Sequence, residues 1–390
     1  MRSIGAGQQS LARGFRLLEL LPWLALGALY VFLPEFLPLG TQIVVMIIFA
    51  LSLDLLLGYT GIVTLGHAAY FGVGAYTSGM LAVAGWDGPF TDLAAGAITA
   101  AVVGLVMGLV ILRTKGLALL MLGMAVTLIF YELANHYPAW TGGADGLQGI
   151  SVKPIFGLFE FDMYGKVGFV YAGLVLLACL LFVRHLVLSP FGRSLVGIRE
   201  NAARMTAIGA PVQQRKLIVF SIAAGIAGVA GALSAQTNQF VGLNVLSFEL
   251  SGTVLIVLVL GGAGRLYGAF LGAPIYFEAQ DILAKGDPVY WLFWLGLILI
   301  VVATFARGGV LGLCDSLVQR FSAQRPAQLF DGHIGWIVLM VVEHLRDKIE
   351  NKGAMGAMPF AVGSGKVIVQ VFASQPEGRI HAVYFFFSHS

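Results

Sequence analysis

The sequence predicts an all-α, polytopic membrane protein, a helical bundle of roughly ten transmembrane segments with an amphipathic helix outside the bilayer. Three observations predict it. Apolar residues make up 58% of the chain and charged residues 11%, with a mean hydropathy of +0.88, whereas soluble domains carry roughly twice that charge. Apolar runs of spanning length recur from Leu17 to Ala306. One polar island, Arg184 to Lys216, interrupts them with six basic residues and one acid, Glu200. The net charge of +3 comes without a basic run long enough for nucleic acid, so lysines and arginines read as topology determinants.

A span needs about 20 mostly apolar residues, because the hydrocarbon core is about 30 Å thick and a helix rises about 1.5 Å per residue. The candidates are Leu17–Leu37, Thr41–Gly58, Gly66–Ala84, Asp92–Leu112, Gly116–His136, Val167–Val183, Leu217–Gln236, Glu249–Gly264, Tyr267–Leu283 and Tyr290–Ala306. Arg2, Arg13 and Arg16 precede the first run, which has no convincing small-residue cleavage site. It is therefore a retained span rather than a secretory signal. This gives a cytoplasmic N-terminal tail over 1–16, a transmembrane domain over 17–321 and a C-terminal tail over 322–390. With the N-terminus inside, inward connections receive Arg113, Lys115, the basic island, Arg265, Arg307 and Arg320, and outward ones only Lys153, Lys166 and Lys285. That asymmetry satisfies the positive-inside rule and puts the island in the cytoplasm. Cys179 and Cys314 offer neither a disulfide framework nor a metal-ligand spacing.

The stretch Gly58 to Tyr76 departs from a plain span. Glycines at 58, 61, 66, 72 and 74 weaken a continuous helix, and Thr64 can cap a fresh start before Leu65-Gly66-His67. A break or re-entrant segment is expected here, tolerable only where protein or water covers the backbone. A half-helix N-terminus would present free amides to a substrate carboxylate. Thr64, Gly66, His67 and Tyr76 are thus pathway candidates, although a lone histidine beside Ala68 and Ala69 fits a packed hydrogen-bonding residue better. Asp54, ionisable inside a span, reads equally as a functional group or a structural aspartate. Gly104 with Gly108, and Gly225, Gly228 and Gly231, read as close helix-packing positions.

In the island, Leu195, Ile198, Ala202, Met205 and Ile208 recur at three- and four-residue intervals, with Arg193, Arg199, Glu200 and Arg204 on other faces. Ser189-Pro190 starts this helix, and Gly209 with Pro211 stops it. Spacing leaves two readings open, a solvated loop that fixes topology or a docking helix for a soluble motor subunit.

The run Gly192-Arg193-Ser194-Leu195, Ile198-Arg199-Glu200-Asn201-Ala202-Ala203 and Ala207-Ile208-Gly209 resembles the cytoplasmic coupling loop of branched-chain amino-acid ABC importer permeases. Leu55-Leu56-Leu57-Gly58-Tyr59-Thr60-Gly61, Leu65-Gly66-His67-Ala68-Ala69-Tyr70-Phe71-Gly72-Val73-Gly74-Ala75-Tyr76 and Thr141-Gly142-Gly143-Ala144-Asp145-Gly146-Leu147 are similar to the M-type permease of the leucine/isoleucine/valine uptake system. Leu260-Gly261-Gly262-Ala263-Gly264 extends the resemblance across most of residues 40–312. The resemblance implies that Arg193, Ile198, Arg199, Glu200, Ala202, Ala203, Arg204 and Gly209 contact an ATPase subunit. It also implies that the loop carrying Thr141, Gly142, Gly143, Asp145 and Gly146 lies near a docked binding protein or covers the pathway. A compact surface loop of consecutive turns explains the same residues. The implied partners are a second permease, two ATP-binding subunits and a periplasmic substrate-binding protein, in a bacterial cytoplasmic (inner) membrane with both termini cytoplasmic.

The resemblance stops before Ser322. The tail holds a short apolar run, 334–342, a charged run, 346–352, and strand-like alternation around Lys366–Phe372. Gly363-Ser364-Gly365-Lys366-Val367 approaches a phosphate loop but has Phe360 where its first glycine belongs and Val367 where its hydroxyl belongs. The chain is therefore expected to bind no cofactor, ATP and magnesium residing on partner subunits, and to be no enzyme itself. Two alternatives remain, a same-family permease for urea or another small polar solute, and a secondary transporter driven by protons through Asp54.

Overall fold

The computed structural model describes residues 21–286 apart from 33, 87, 152 and 155–164, then 290, 293–297 and 309, and three strands between 361 and 387. The chain forms two units, Met1–Val318 and Gln319–Ser390. The first is all-α. Its helices are α1 Leu21–Phe32, α2 Leu37–Asp54, α3 Ala68–Val83, α4 Pro89–Ile111, α5 Leu117–His136, α6 Lys166–Leu188, α7 Pro190–Glu200, α8 Ala202–Ala207, α9 Val212–Asn238, α10 Phe248–Gly261 and α11 Gly268–Gly286. All except α7 and α8 coincide with expected spans; the tenth candidate, Tyr290–Ala306, lies largely outside the described residues.

Among the described residues, five segments are long and apolar enough to cross a membrane: Pro34–Thr60, α4, α5, α6 and α9. The shorter helices α3 and α10 have a local cause, since each abuts a glycine-containing break, Gly61–His67 before α3 and Gly262–Tyr267 after α10. Local chemistry sets the other boundaries. Proline occupies the first turn of α4 and α7, where a missing amide costs nothing. Ser247 caps α10 by accepting from the Leu250 amide at 3.1 Å, with Glu249 favourably in that first turn.

Connections sort into two ends. At one, Gln213 Nε2 donates to the Leu112 carbonyl at 3.0 Å, and the Gly264 amide reaches Asp54. At the other, Leu147 and Val241 exchange backbone hydrogen bonds of 2.8 and 3.2 Å, and the Pro89 carbonyl accepts from Tyr171 and Gln236. Arg113, Lys115, the island and Arg265 fall at the first end, and Lys153, Lys166 and Lys285 at the second.

The core is built around α2. Its apolar stretch is 89% buried, against 22% for α5 and 28% for α4. The outer faces of α4, α5 and α6 expose Val102, Val106, Met121, Ile129, Leu174 and Phe182, a surface stable in hydrocarbon and not in water. Helix α9 lies against α3 and α4 through small residues, as their spacing predicts. A β-carbon added at Gly228 would sit 2.5 Å from the Gly96 carbonyl oxygen, and one at Gly231 2.9 Å from the Ala75 amide nitrogen. Ser221 Oγ donates across the same seam to the Ala101 carbonyl at 2.8 Å. Where lipid is as apolar as leucine, such close approach holds helices together.

In the second unit, β1 Ala361–Gly363, β2 Lys366–Ser374 and β3 Ile380–Phe387 form an antiparallel sheet in that order. Gly363 pairs with Lys366, so Lys366 and Val367 begin a strand, where the corresponding residues of a phosphate loop would open a helix. The runs 334–342 and 346–352, Cys314 and the N-terminal arginines lie outside the described residues.

Gly228→Leu should therefore lower stability in detergent by about 1–3 kcal/mol or abolish accumulation, because the seam has no room. Gly173→Ala on α6, where nothing lies within 4 Å, should leave stability unchanged or raise it by up to about 1 kcal/mol. Thermal unfolding of the purified variants checks the contrast; equal melting temperatures would overturn the packing account.

Candidate functional site: a broken helix tied to a two-helix loop

Helix α2 does not end cleanly at Asp54. It widens into a π-helical stretch, Leu55–Thr60, and stops at Gly61, whose φ of +75° is left-handed. The chain then runs without helix to His67 before α3 begins, which is the break expected from the glycines. Several of its backbone groups are closed by partners. The Ile62 amide donates to the Leu56 carbonyl at 2.9 Å, and the Gly66 amide to Thr64 Oγ1 at 3.2 Å.

Two expectations change here. Thr64 holds the loop rather than capping α3, and the Ala68 amide at the start of α3 donates to Ser251 Oγ of α10 at 2.9 Å. The next amides are engaged as well, Ala69 with the Gly66 carbonyl and Tyr70 with that of His67. The free amide set anticipated for a substrate carboxylate is thus occupied by protein acceptors. Gly66 packs against Gly123 of α5, where an added β-carbon would sit 2.8 Å from its Cα. His67 is fully buried, its Nε2 lies 2.8 Å from Ser52 Oγ, and its ring stacks on Phe49 at 5.4 Å. It is a packed hydrogen-bonding residue of the core.

The polar island folds as two short helices instead of one. Ser189 accepts from the Gly192 amide at 3.2 Å and starts α7. Asn201, in extended conformation, ends α7 and caps α8 by accepting from the Arg204 amide at 2.9 Å. This break rotates the expected apolar stripe. Leu195 and Ile198 are buried, but Ile208 is 72% exposed. Met205 folds back over α7 onto Gly197. The linker proper is 189–211, because Arg184 lies within α6 and Arg215 and Lys216 within α9. Gly209, at φ +83°, ends α8, and the Ala210 amide closes onto the Met205 carbonyl at 3.0 Å. Arg193, Glu200, Ala203, Arg204 and Gly209 are exposed, and Ala202 is half-buried.

Arg199 was expected on a solvent-facing side, yet it turns inward. Its Nη1 donates to the Gly58 carbonyl in the π-helical stretch, and its side chain covers Gly61. Asp54, 2% exposed, accepts the Gly264 amide on Oδ1 at 2.7 Å. The loop after α10 thereby joins the same cluster, bringing together Asp54, Gly58, Gly61, Arg199 and Gly264.

The remaining candidates lie at the opposite end. Thr141 Oγ1 donates to the Tyr137 carbonyl at 2.8 Å and accepts from the Gly143 amide at 3.2 Å. Gly142, Gly143 and Gly146 all have positive φ, which is why glycine stands at each. Asp145 is exposed. Tyr76 and Thr141 line one cavity of about 480 Å³ with Val73, Met80, Phe130 and Trp140. Its wall is almost wholly apolar. Ser52, Ser251 and Gly264 had no local signal in the sequence, because their roles come from partners 15, 183 and 210 residues away. Among the described residues, no group of three His, Cys, Asp or Glu side chains is placed to hold a metal.

This architecture has relatives. The High-affinity branched-chain amino acid transport system permease protein LivM of Escherichia coli (strain K12) is 27% identical over 296 residues, 70% of this chain and 69% of that protein. The Probable branched-chain amino acid transport permease protein LivM of Methanocaldococcus jannaschii is 25% identical, covering 68% and 89%. The Autoinducer 2 import system permease protein LsrC of Klebsiella pneumoniae is 28% identical over 42% and 48%. No solved structure matches. The family described as branched-chain amino acid transport system / permease component matches residues 37–303, helices α2 to α11 and both breaks. A buried, broken-helix bundle carrying a basic two-helix loop is the architecture over which that match runs, and the chain belongs to this permease family.

Proposed function

We propose that this chain is the permease subunit of an ABC importer that moves branched-chain or related hydrophobic amino acids across the bacterial cytoplasmic membrane. It works with a second permease, two ATP-binding subunits and a periplasmic substrate-binding protein. ATP and magnesium belong to the ATP-binding subunits. The observation that carries this reading is the two-helix loop 189–211, projecting exposed Arg193, Glu200, Ala203, Arg204 and Gly209 while Arg199 reaches the broken helix. The basic end of the bundle is then cytoplasmic by the positive-inside rule, as are both termini, and the 137–150 loop is periplasmic.

Nucleotide-driven closure of the ATP-binding subunits moves the loop, and rearrangement at the breaks switches access. The largely apolar cavity between α3, α5 and the periplasmic loop suits an aliphatic side chain, and the hydroxyls of Tyr76, Thr77, Tyr137 and Thr141 on its wall are available to a solute's polar groups. The buried positions of Thr64, Gly66 and His67 make them the mechanical part of the pathway, and Tyr76 the part a solute would meet. The strands after residue 360 receive no role in transport.

Two outcomes follow. In vesicles carrying the assembled complex, leucine accumulation should survive a protonophore and vanish when the ATP-binding subunits are omitted; the reverse pattern would establish proton coupling instead. Gly209→Pro forces a φ near −65° where +83° is needed, and Arg204→Glu reverses an exposed charge. Both should leave the permease in the membrane yet cut uptake about tenfold, a coupling loss near 1.4 kcal/mol. Wild-type uptake together with wild-type co-purification of the ATP-binding subunits in both variants would refute the docking role.

A further inference from the structure

The geometry points to Arg199 as a positioning residue with two seats, the Gly58 carbonyl it occupies here and the idle Oδ2 of Asp54, its transfer between them carrying loop movement into both helix breaks. This rests on the loop being the dock for the ATP-binding subunits.

The first seat has a clear physical basis. Gly58 lies in the last turn before the chain leaves the helix at Gly61, so its carbonyl belongs to the set that a helix C-terminus leaves without an internal donor. In a membrane such a group needs a protein partner. A guanidinium supplies both the donor and a positive charge at the negative end of the helix dipole. Arg199 is therefore the cap of the broken helix, supplied from a segment 141 residues away.

The second seat is next to it and empty. Asp54 stands one turn earlier, with Oδ1 taken by the Gly264 amide at 2.7 Å, while Oδ2 is sealed from solvent without a hydrogen-bond partner. A buried carboxylate oxygen left without a donor is costly, and a charged donor from another conformation relieves that cost. The groups are close neighbours. A β-carbon added at Gly58 would lie 2.8 Å from Asp54 Cγ, and one added at Gly264 3.2 Å from Arg199 Nη1. Glycine at 58 and 264 lets the end of the broken helix, the Asp54 carboxyl, the Gly264 backbone and the Arg199 guanidinium approach this closely.

The seats have different consequences. On Gly58, the guanidinium holds the end of α2 closed. On Asp54 it forms a charge-assisted bond, stronger than one to a neutral carbonyl, and leaves the Gly58 carbonyl uncapped. Because Asp54 also holds Gly264, the transfer is felt at the α10–α11 break in the same step. Leu195 and Ile198, buried beneath α7, anchor the helix, so rotation of the arginine side chain or a small tilt of α7 is the required motion.

The test uses the complete complex in proteoliposomes, measuring labelled L-leucine taken up per ATP hydrolysed, and amide hydrogen exchange over residues 55–62 with and without nucleotide. Arg199→Gln should lower uptake per ATP about tenfold without reducing co-purification of the ATP-binding subunits. Asp54→Asn, which retains an acceptor for Gly264, should do the same, and the double variant should be no worse than either single one. Exchange over 55–62 should rise with nucleotide in the wild type and lose that response in both variants; Arg199→Lys should retain most of each property. Wild-type coupling in Asp54→Asn, or additive losses in the double variant, would overturn the two-seat proposal. Loss of ATP-binding subunits from Arg199→Gln alone would also overturn it, making Arg199 part of the dock. Failure of the wild-type complex to accumulate leucine would instead count against the proposed substrate.

Discussion

A backbone that leaves its helix inside a bilayer must find protein partners for every amide and carbonyl it frees, and this requirement organises the interior of the bundle. Around the segment Gly61–His67, local and long-range contacts meet part of it. Ser251 takes the first amide of α3, Arg199 takes a terminal carbonyl of the π-helical stretch, and Thr64 closes the loop on itself. The contacts from Ser251 and Arg199 bind the break to two distant parts of the chain. A break satisfied by water would be free to drift; one satisfied by α7 and α10 moves with them.

The same constraint explains why the most buried helix is the one that breaks. Irregular backbone is tolerated where protein surrounds it, and α2 is the centre of the bundle, while α4, α5 and α6 present apolar faces outward. Close packing of α9 against α3 and α4 through Gly74, Gly96 and Gly228 leaves no room for adjustment there. The seam is rigid. The π-helical stretch and the glycine loop after α10 are instead tied to distant segments by single hydrogen bonds, from Arg199 to Gly58 and from Gly264 to Asp54.

Much of this was legible in the sequence, because the signals are local. Apolar runs gave the spans, glycine density gave the break at 61–67, and Ser189-Pro190 with Gly209 gave the ends of the loop. What failed was non-local. A helical wheel carried through Asn201 kept Ile208 on the buried face, but the asparagine side chain caps a new helix and redirects it. The same wheel placed Arg199 in water, since charge on a surface loop defaults to solvent; only the orphan carbonyl at Gly58, on another segment, turns it inward. Free amides at the head of α3 were inferred from helix geometry, and Ser251 was invisible as their partner from 183 residues away.

The sequence carries a weak echo of itself at an offset of 200 residues, and the helix boundaries give it meaning. Gly61, Ala69, Gly72 and Tyr76 match Gly261, Ala269, Gly272 and Tyr276, and the helices after the two breaks begin at Ala68 and Gly268. Both halves therefore contain a helix, a glycine-containing break and a second helix. Their environments differ. Gly72 packs against Leu246, whereas Gly272 packs on the backbone of α10, and Tyr276 meets Thr253 at 3.4 Å while the Tyr76 ring lines the cavity. What the halves share is the device rather than the surroundings, and the breaks meet where Asp54 accepts the Gly264 amide. One hydrogen bond to a carboxylate, about 1.5–3 kcal/mol, biases the two breaks to rearrange together. For the proposed transport cycle, in which both halves change together, the contact between the breaks supplies that dependence without a long chain of intermediates.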